Sequence, residues 1–255
     1  MKNAVLITGA TGGIGSELCC EFASHGYNIV LTATNEEKLK ILADQLEQKY
    51  KIKTYCLVKD LSKRESANEI FNEIKKQRIE VKILCNNAGI GGFGEFLDSD
   101  LERNRQIIQV NTTSLVSLCH LFGNEMKKLG GGKILNIASV GAFCPGPLVS
   151  TYFASKAFVL SFSQALALEL KPFNIPVCVL CPGTTKTSFF EKSGSKLENN
   201  ATDPKKIAIF AYKSLMKGKT VAIYGVKNKL AVFFGRLIPR EMQTKISYNI
   251  QRKRK

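Results

Sequence analysis

An apolar run over residues 3–8 leads straight into Gly9-Ala-Thr-Gly-Gly-Ile-Gly15, and a helical pattern follows over residues 14–25. No other stretch limits the fold of this chain as tightly. Glycines let the backbone turn sharply and approach a pyrophosphate closely. The helix N-terminus behind them offers unpaired N–H groups and a favourable dipole. An ordinary tight turn does not need three glycines at the spacing of Gly9, Gly13 and Gly15.

Further apolar runs follow at residues 28–32, 53–58, 81–85, 133–138, 177–181 and 220–226. Helical patterns separate them. One covers residues 35–49, and one carries Ile70, Phe71 and Ile74 with Ser62 as its expected cap. One runs over residues 101–129 with Asn111 near its middle. One spans residues 152–170 and is ended by Pro172. Short, near-continuously apolar strands alternating with helices predict an α/β fold built on a doubly wound parallel sheet. Such sheets bind ligands outside the carboxyl ends of their strands. Gly9, Asp60, Asn87, Ser139 and Pro182 each fall just after a strand, so they are expected on one rim.

Tyr152 and Lys156 stand four apart, which places them on one helix face. A phenol is a poor acid near neutrality, and a neighbouring ammonium favours the phenolate. The pair can therefore exchange a proton with a carbonyl or an alcohol. A Tyr and a Lys at this spacing are also common on a solvated face, so the pair gains its meaning from the rest of the chain. Ser139, at the end of the run over residues 133–138, could hold a substrate oxygen beside Tyr152.

The chain has 255 residues and is 44% hydrophobic, enough for one large α/β domain and too apolar for disorder. No apolar run reaches the roughly 18 residues of a spanning helix. The N-terminal run is too short for a signal peptide. The eight cysteines suit a reducing compartment, and the reading is of a soluble, cytoplasmic protein. Cys178 and Cys181 form a C-x-x-C inside a strand, where positions three apart face opposite ways, so no metal site is expected. Lys plus Arg number 37 against 21 Asp plus Glu, a net charge of +16. That balance permits anionic partners without choosing one. No aromatic-basic platform or reading helix supports nucleic acid.

Taken together, the chain resembles the short-chain dehydrogenase/reductase family. The residues carrying the match are Thr8-Gly-x-x-x-Gly-x-Gly15, Asp60-Leu61, Asn86-Asn-Ala-Gly89, Asn111, Ser139, Tyr152-x-x-x-Lys156 and Pro182-Gly183 with Thr185 and Thr187. They stand in the family's order and spacing over residues 3 to about 190. The resemblance implies a Rossmann-like single domain over residues 1–226, leaving residues 227–255 as a basic amphipathic extension. It implies an NAD(P)(H)-dependent oxidoreductase interconverting a ketone or aldehyde and an alcohol, working as a carbonyl reductase on a small molecule. Tyr152 would give or take the proton. Lys156 would lower the tyrosine pKa and hold the nicotinamide ribose, Ser139 would orient the substrate oxygen, and Asn111 would hold a water linking Lys156 to solvent. The cofactor would lie against Gly9, Thr11, Gly12, Gly13, Ile14 and Gly15. Asp60, Leu61, Asn87, Ala88 and Gly89 would line its adenosine. Pro182, Gly183, Thr185 and Thr187 would hold the carboxamide and phosphates. The family also implies a homodimer or homotetramer, paired through the helices over residues 101–129 and 152–170. The alternative is a non-catalytic dinucleotide-binding regulator on the same fold. Nothing in such a protein requires Asn111, Ser139, Tyr152 and Lys156 together.

An acid at the end of the second strand would bond a ribose 2′-hydroxyl and repel a 2′-phosphate. Here that end reads Leu31-Thr-Ala-Thr-Asn35, with no acid before Glu36. Family members using NADP usually place Arg at the position of Thr34 or a base before Gly13, and this chain has Thr34 and Gly12. Thr34 and Asn35 can still donate to a phosphate, with Lys38 near, so NADP(H) is favoured over NAD(H). Phe189 and Phe190 lie in a polar segment that covers the substrate in the family; they either line an apolar pocket or pack under a loop. In the extension, Leu230, Val232, Phe233, Phe234, Leu237, Ile238, Met242, Ile246 and Ile250 alternate with bases and are broken at Pro239. Packing on the domain or on a partner subunit is the blander reading, and weak contact with a membrane surface, aided by Arg252-Lys-Arg-Lys255, is another.

Overall fold

A computed structural model describes residues 1–196 and 201–254. Part of the expected substrate-covering segment, residues 197–200, and the last base, Lys255, lie outside the described residues. The elements in chain order are β1 (Ala4–Thr8), α1 (Gly13–Ser24), β2 (Asn28–Ala33), α2 (Glu36–Tyr50), β3 (Thr54–Val58), α3 (Ser66–Lys76) and β4 (Val81–Asn86). Then come α4 (Leu101–Ile108), α5 (Ser114–Lys128), β5 (Lys133–Ile137), α6 (Ser150–Glu169), β6 (Val177–Cys181), α7 (Phe189–Ser193), α8 (Pro204–Met216), β7 (Val221–Ile223), α9 (Val226–Gly235) and α10 (Arg240–Arg252). The strands form one sheet in the order β3-β2-β1-β4-β5-β6-β7, and every pairing is parallel. The order reverses between β1 and β4, where a doubly wound sheet opens its ligand crevice.

Strand residues alternate faces, so the apolar runs feed two cores. One face packs Leu6, Leu84 and Ile134 against Ile70 of α3, Phe122 of α5 and Val159 of α6. The other packs Ile7, Leu31 and Leu135 against Phe22 of α1, Leu39 of α2 and Leu215 of α8. Each such side chain stabilises by about 1.5–3 kcal/mol when fully buried. Cys178 belongs to the second core and Cys181 to the first, so the two thiols lie on opposite faces of β6.

Several boundaries differ from the sequence expectation, each for a local reason. The helix expected over residues 101–129 is interrupted by a π-turn, Gln109–Thr113. There the Thr112 hydroxyl donates to the Ile108 carbonyl at 2.5 Å, and the Asn111 amide leaves the helix for other partners. Ser62 does not cap α3. Its N–H donates to the Asp60 carboxylate at 2.9 Å, while Ser66, the first residue of the helix, donates its hydroxyl to the Asp60 carbonyl at 2.6 Å. The last strand is shorter than residues 220–226, because the chain turns at Gly225 (φ +85°) and enters α9 at Val226. Helix α8 was not anticipated, although Asp203-Pro204 signals its start. The Asp203 carboxylate accepts from Lys205 N–H at 2.8 Å, and Pro204 sits in the first turn.

The extension folds back over the sheet's carboxyl rim. Gln243 of α10 donates its amide to the Phe143 carbonyl at 3.2 Å, the Arg236 guanidinium lies 5.9 Å from the Phe143 ring, and Ser247 and Gln251 are buried. The apolar residues expected to pack do so only in part. Phe233 is 59% exposed and Leu237 68% exposed.

Candidate active site

The loop after β1 is the floor of the site. Gly9 has φ +63°, and a Cβ there would stand 2.9 Å from Ala88 Cα; a Cβ on Gly15 would run into the Gly9 carbonyl. Thr8 fastens this loop to the one after β4. Its hydroxyl accepts from the N–H groups of Asn87 (3.0 Å) and Ala88 (2.9 Å). In return Asn87 donates its amide to the Thr8 carbonyl at 2.9 Å and the Gly9 carbonyl at 3.1 Å. Thr8 escaped the sequence reading as a site residue because its role is to hold the loops, not to face the cleft.

Above these loops runs a cleft of about 1060 Å³. Its walls include Gly9, Thr11, Gly12, Gly13, Ile14, Gly15, Thr34, Asp60, Leu61, Asn87, Ala88 and Gly89. Ser139, Tyr152, Lys156, Pro182, Gly183, Thr185 and Thr187 line it farther along. Asn35 does not line it; its side-chain carbonyl caps α2 by accepting from Lys38 N–H at 2.8 Å. Asn111 stands behind the wall, 1% exposed. Its carbonyl accepts from Ile90 N–H at 2.9 Å, and its NH2 donates to the Ile90 carbonyl (3.0 Å) and the Ser155 hydroxyl (2.9 Å). In this geometry Asn111 braces α6 against the loop after β4.

Lys156 is 4% exposed, and its ammonium donates to the Ile137 carbonyl at 2.8 Å. A Cβ on Gly89 would lie 3.1 Å from that ammonium and 3.4 Å from Asn111 Oδ1, so both side chains converge on Gly89. Burial pushes the Lys156 pKa down from 10.5 to about 8. Tyr152 is half-buried, its ring 5.2 Å from that of Phe189. Desolvation pushes its phenol up to about 12, against a hydrogen bond from Ser139 and the charge of Arg254, which act downward. The expectation that Lys156 lowers the tyrosine is not met in this geometry. The ammonium is aimed at the Ile137 carbonyl and lies 5.8 Å from the ring centroid. Ser139 is held extended at the end of β5, where its hydroxyl accepts from Gly141 N–H at 3.1 Å. Thr185 donates its hydroxyl to the Gly183 carbonyl (3.0 Å), and the Thr187 hydroxyl accepts from Phe189 N–H (3.3 Å). Phe189 and Phe190 both line the cleft, so the pocket reading holds for them.

The far wall comes from the extension. Asn228, Val232, Gln243, Ser247, Gln251 and Arg254 all face the cleft. Of these, sequence reading named only Val232 as a packing residue, because it followed the apolar stripe; that stripe also reaches the cleft, through Phe234, Ile238, Ile246 and Ile250, with the polar residues between them. The signal was the spacing of Gln243, Ser247 and Gln251, each four apart.

The cleft fits a dinucleotide on its own features. The Gly9 and Gly15 positions have no room for a Cβ, α1 starts at Gly13 behind the loop, and the Thr32 hydroxyl is buried at the end of β2 with no hydrogen-bond partner. Comparison with known proteins agrees. Residues 3–198 match the family model of short chain dehydrogenases. The chain is 33% identical over 204 residues to the probable oxidoreductase EphD of Mycobacterium tuberculosis, covering 80% of this chain and 34% of that protein, about a third of its length. It is 35% identical to mouse 17-beta-hydroxysteroid dehydrogenase type 3, covering 80% of this chain and 67% of that one. The structure of a short-chain dehydrogenase from Sphingobium yanoikuyae in complex with NADPH superposes with a TM-score of 0.84 at 30% identity, covering 92% of this chain and 93% of that one. The chain therefore belongs to the short-chain dehydrogenase family.

Proposed function

We propose that this protein is an NADP(H)-favouring carbonyl reductase in which Ser139, Tyr152 and Lys156 perform the chemistry. The observation that carries the reading is their convergence, with Gly89 and Pro182-Gly183, on one stretch of a dinucleotide-sized cleft. When bound, the nicotinamide supplies a hydride to the carbonyl carbon. Tyr152, protonated throughout the neutral range, holds the proton that the carbonyl oxygen takes. Ser139 positions that oxygen. Lys156, beside Gly89, holds the nicotinamide ribose, and Asn111 fixes α6 so that Tyr152 and Lys156 keep their places. The end of β2 presents Thr34 and no carboxylate, which supports NADP(H); the ammonium of Lys59 on the same wall is paired with Glu69 at 2.6 Å.

The extension belongs to the catalytic unit as the substrate wall. Phe158, stacked on Phe162 at 5.8 Å, and exposed Leu168 support α6 as part of the interface of a homodimer or homotetramer. The outer stripe of α9 and α10, flanked by bases, makes weak contact with anionic membrane surfaces. The eight free cysteines suit the cytoplasm, and no helix among the described residues is long and apolar enough to cross a membrane. Light scattering reads the dimer, and salt-dependent co-sedimentation with anionic vesicles reads the membrane contact.

The central test is NADPH oxidation over a panel of ketones and aldehydes, repeated with Tyr152→Phe. Loss of the proton donor should cut turnover by roughly 10²–10⁴-fold while NADPH affinity stays within about twofold. Full turnover in the variant would remove Tyr152 from the chemistry.

A further inference from the structure

The first core, on the sheet face covered by α3, α5 and α6, holds a chain of buried polar side chains. Asn136 lies on β5 between Ile134 and Ala138 of that core, so its amide is on the face toward α5 and α6. Asn86 is its register partner on β4. Asn136 and Ser163 are fully buried, and Asn86 is 3% exposed. The Asn86 NH2 donates to the Asn136 side-chain carbonyl at 2.9 Å and to Cys119 Sγ at 3.2 Å. The Asn136 NH2 donates to the Ser163 hydroxyl at 2.9 Å, and the Cys119 thiol donates to the Asn136 carbonyl at 3.7 Å. One amide on β5 thereby joins β4, α5 and α6. Of these elements, β4, β5 and α6 all lead into the site. Asn87 follows Asn86 directly, and Ser139 lies three residues beyond Asn136. Ser163 lies seven residues from Lys156, two turns along α6 and on the same face. Lys156 bonds the carbonyl of Ile137, next to Asn136 on β5.

Stability alone does not call for this network. Buried hydrogen-bonded amides gain little over apolar groups of the same shape. Here Asn86 Oδ1 is buried with no hydrogen-bond partner among the described residues, which is a cost. What hydrogen bonds add is direction. An apolar core of the right volume keeps its stability while losing a unique arrangement, so a helix packed by apolar contacts alone can shift along the sheet. A displacement of about 1 Å at reacting groups can cost about 100-fold in rate. We propose that Asn136 is a positioning residue that holds α6 in one axial register against β4 and β5. Tyr152 and Lys156 are thereby kept in place beside Ser139 and Gly89. Neither Asn136 nor Ser163 lines the cleft, so the effect passes through α6. The effect on rate rests on the carbonyl-reductase reading; the effect on placement does not.

The test replaces the whole network in the full-length protein by apolar groups of similar size, with Asn86→Leu, Asn136→Leu and Ser163→Ala combined. This variant should melt no lower than the unaltered protein, because no polar partner is left stranded. Its NADPH affinity, read by fluorescence titration, should stay within about twofold, while kcat falls about 30-fold and KM changes less than about threefold. Ser163→Ala alone removes one bond and keeps a good helix former, so it should lower kcat by about fivefold. Asn136→Leu added to Ser163→Ala should cost less than the product of the two single losses, since both break the same bond. Crystal structures of the unaltered and apolar proteins should differ by about 1 Å in the distance from Tyr152 to Ser139. Full kcat in a stable apolar variant would overturn the proposal, and so would a Tyr152 and Lys156 that superpose on the unaltered ones. NADPH affinity falling as far as kcat would also overturn it, since the whole domain would then have loosened. Should the apolar variant fail to fold, full kcat in Ser163→Ala would overturn it. A displaced Tyr152 in a protein whose unaltered form reduces no carbonyl would sink the reductase reading and keep the positioning role. Reduction by both proteins at one rate, with Tyr152 undisplaced, would do the opposite.

Discussion

At the nucleotide end of the cleft, backbone meets backbone; at the substrate end, side chains from α6, α7, α9 and α10 meet one another. The first is cross-linked by Thr8 and Asn87 through four hydrogen bonds of 2.9–3.1 Å and has no room for a Cβ at Gly9 or Gly15. The second includes side-chain contacts between separate segments, such as Gln243 on the Phe143 and Gly235 carbonyls. The difference teaches what each end can tolerate. A backbone cradle fails when any side chain is added. A wall of side chains from separate helices can exchange members and keep its outline, which suits a site where specificity varies while cofactor use does not.

The largest effect expected from this contrast is at Gly15. Gly15→Ala places a methyl against the Gly9 carbonyl and 2.7 Å from the Asn87 amide nitrogen. Overpacking of this kind costs about 1–3 kcal/mol, and it falls where the pyrophosphate must approach, so NADPH affinity should drop by about 100-fold. Gln243→Ala, the matching lesion at the substrate end, should leave NADPH affinity within about twofold. Fluorescence titration of both variants decides it; equal affinities would erase the distinction between the two ends.

The next effect is on stability and concerns Lys156, which the two ends share. Its folded pKa of about 8 lies below its ordinary 10.5, so between those values the unfolded chain binds more protons than the folded one. The Lys156 contribution to stability should therefore rise as pH goes from about 8 toward 10, by up to about 3 kcal/mol at 1.36 kcal/mol per pKa unit. Above pH 10 the raised Tyr152 phenol, at about 12, works the other way, because the unfolded tyrosine loses its proton first. The buried thiols of Cys119, Cys178 and Cys181, pushed up from 9.0 to about 12, lower stability over the same range, so the lysine is read as a difference: in denaturant melts of the cofactor-free protein at pH 7, 8, 9 and 10 the unaltered protein should gain stability relative to Lys156→Met as pH rises. Parallel pH profiles for the two proteins would mean that the ammonium is solvated.

The smallest effect sharpens the nucleotide end. Thr34→Asp sets a carboxylate on an exposed position of the cleft wall after β2. Repulsion of a 2′-phosphate should shift the NADPH-to-NADH affinity ratio about tenfold toward NADH, or about 1.4 kcal/mol. An unchanged ratio would show that the end of β2 does not read the 2′ group.

The sequence alone determined the sheet, its parallel order of strands and helices, and the rim on which Gly9, Asp60, Asn87, Ser139 and Pro182 meet. These follow from local rules: apolar runs alternate with helical patterns, and glycines mark places where only backbone fits. It also singled out Asn111, and the π-turn around it is a local event that a weak helix former permits. What only the tertiary structure decided depends on partners distant in the chain. The aim of the Lys156 ammonium is set by the Ile137 carbonyl on β5, not by Tyr152 four residues away. The capping duty of Asn35 withdraws it from the cleft wall, since its side-chain carbonyl is committed to Lys38 N–H. The extension sends both kinds of side chain to the cleft, Gln243, Ser247 and Gln251 beside Val232, Ile246 and Ile250, and leaves Phe233 and Leu237 in the open, because a helix laid over a cleft answers to the groups already there, such as the Phe143 carbonyl. A hydrophobic stripe records which face of a helix is apolar. Which face is buried is decided by the surface that the helix finally meets.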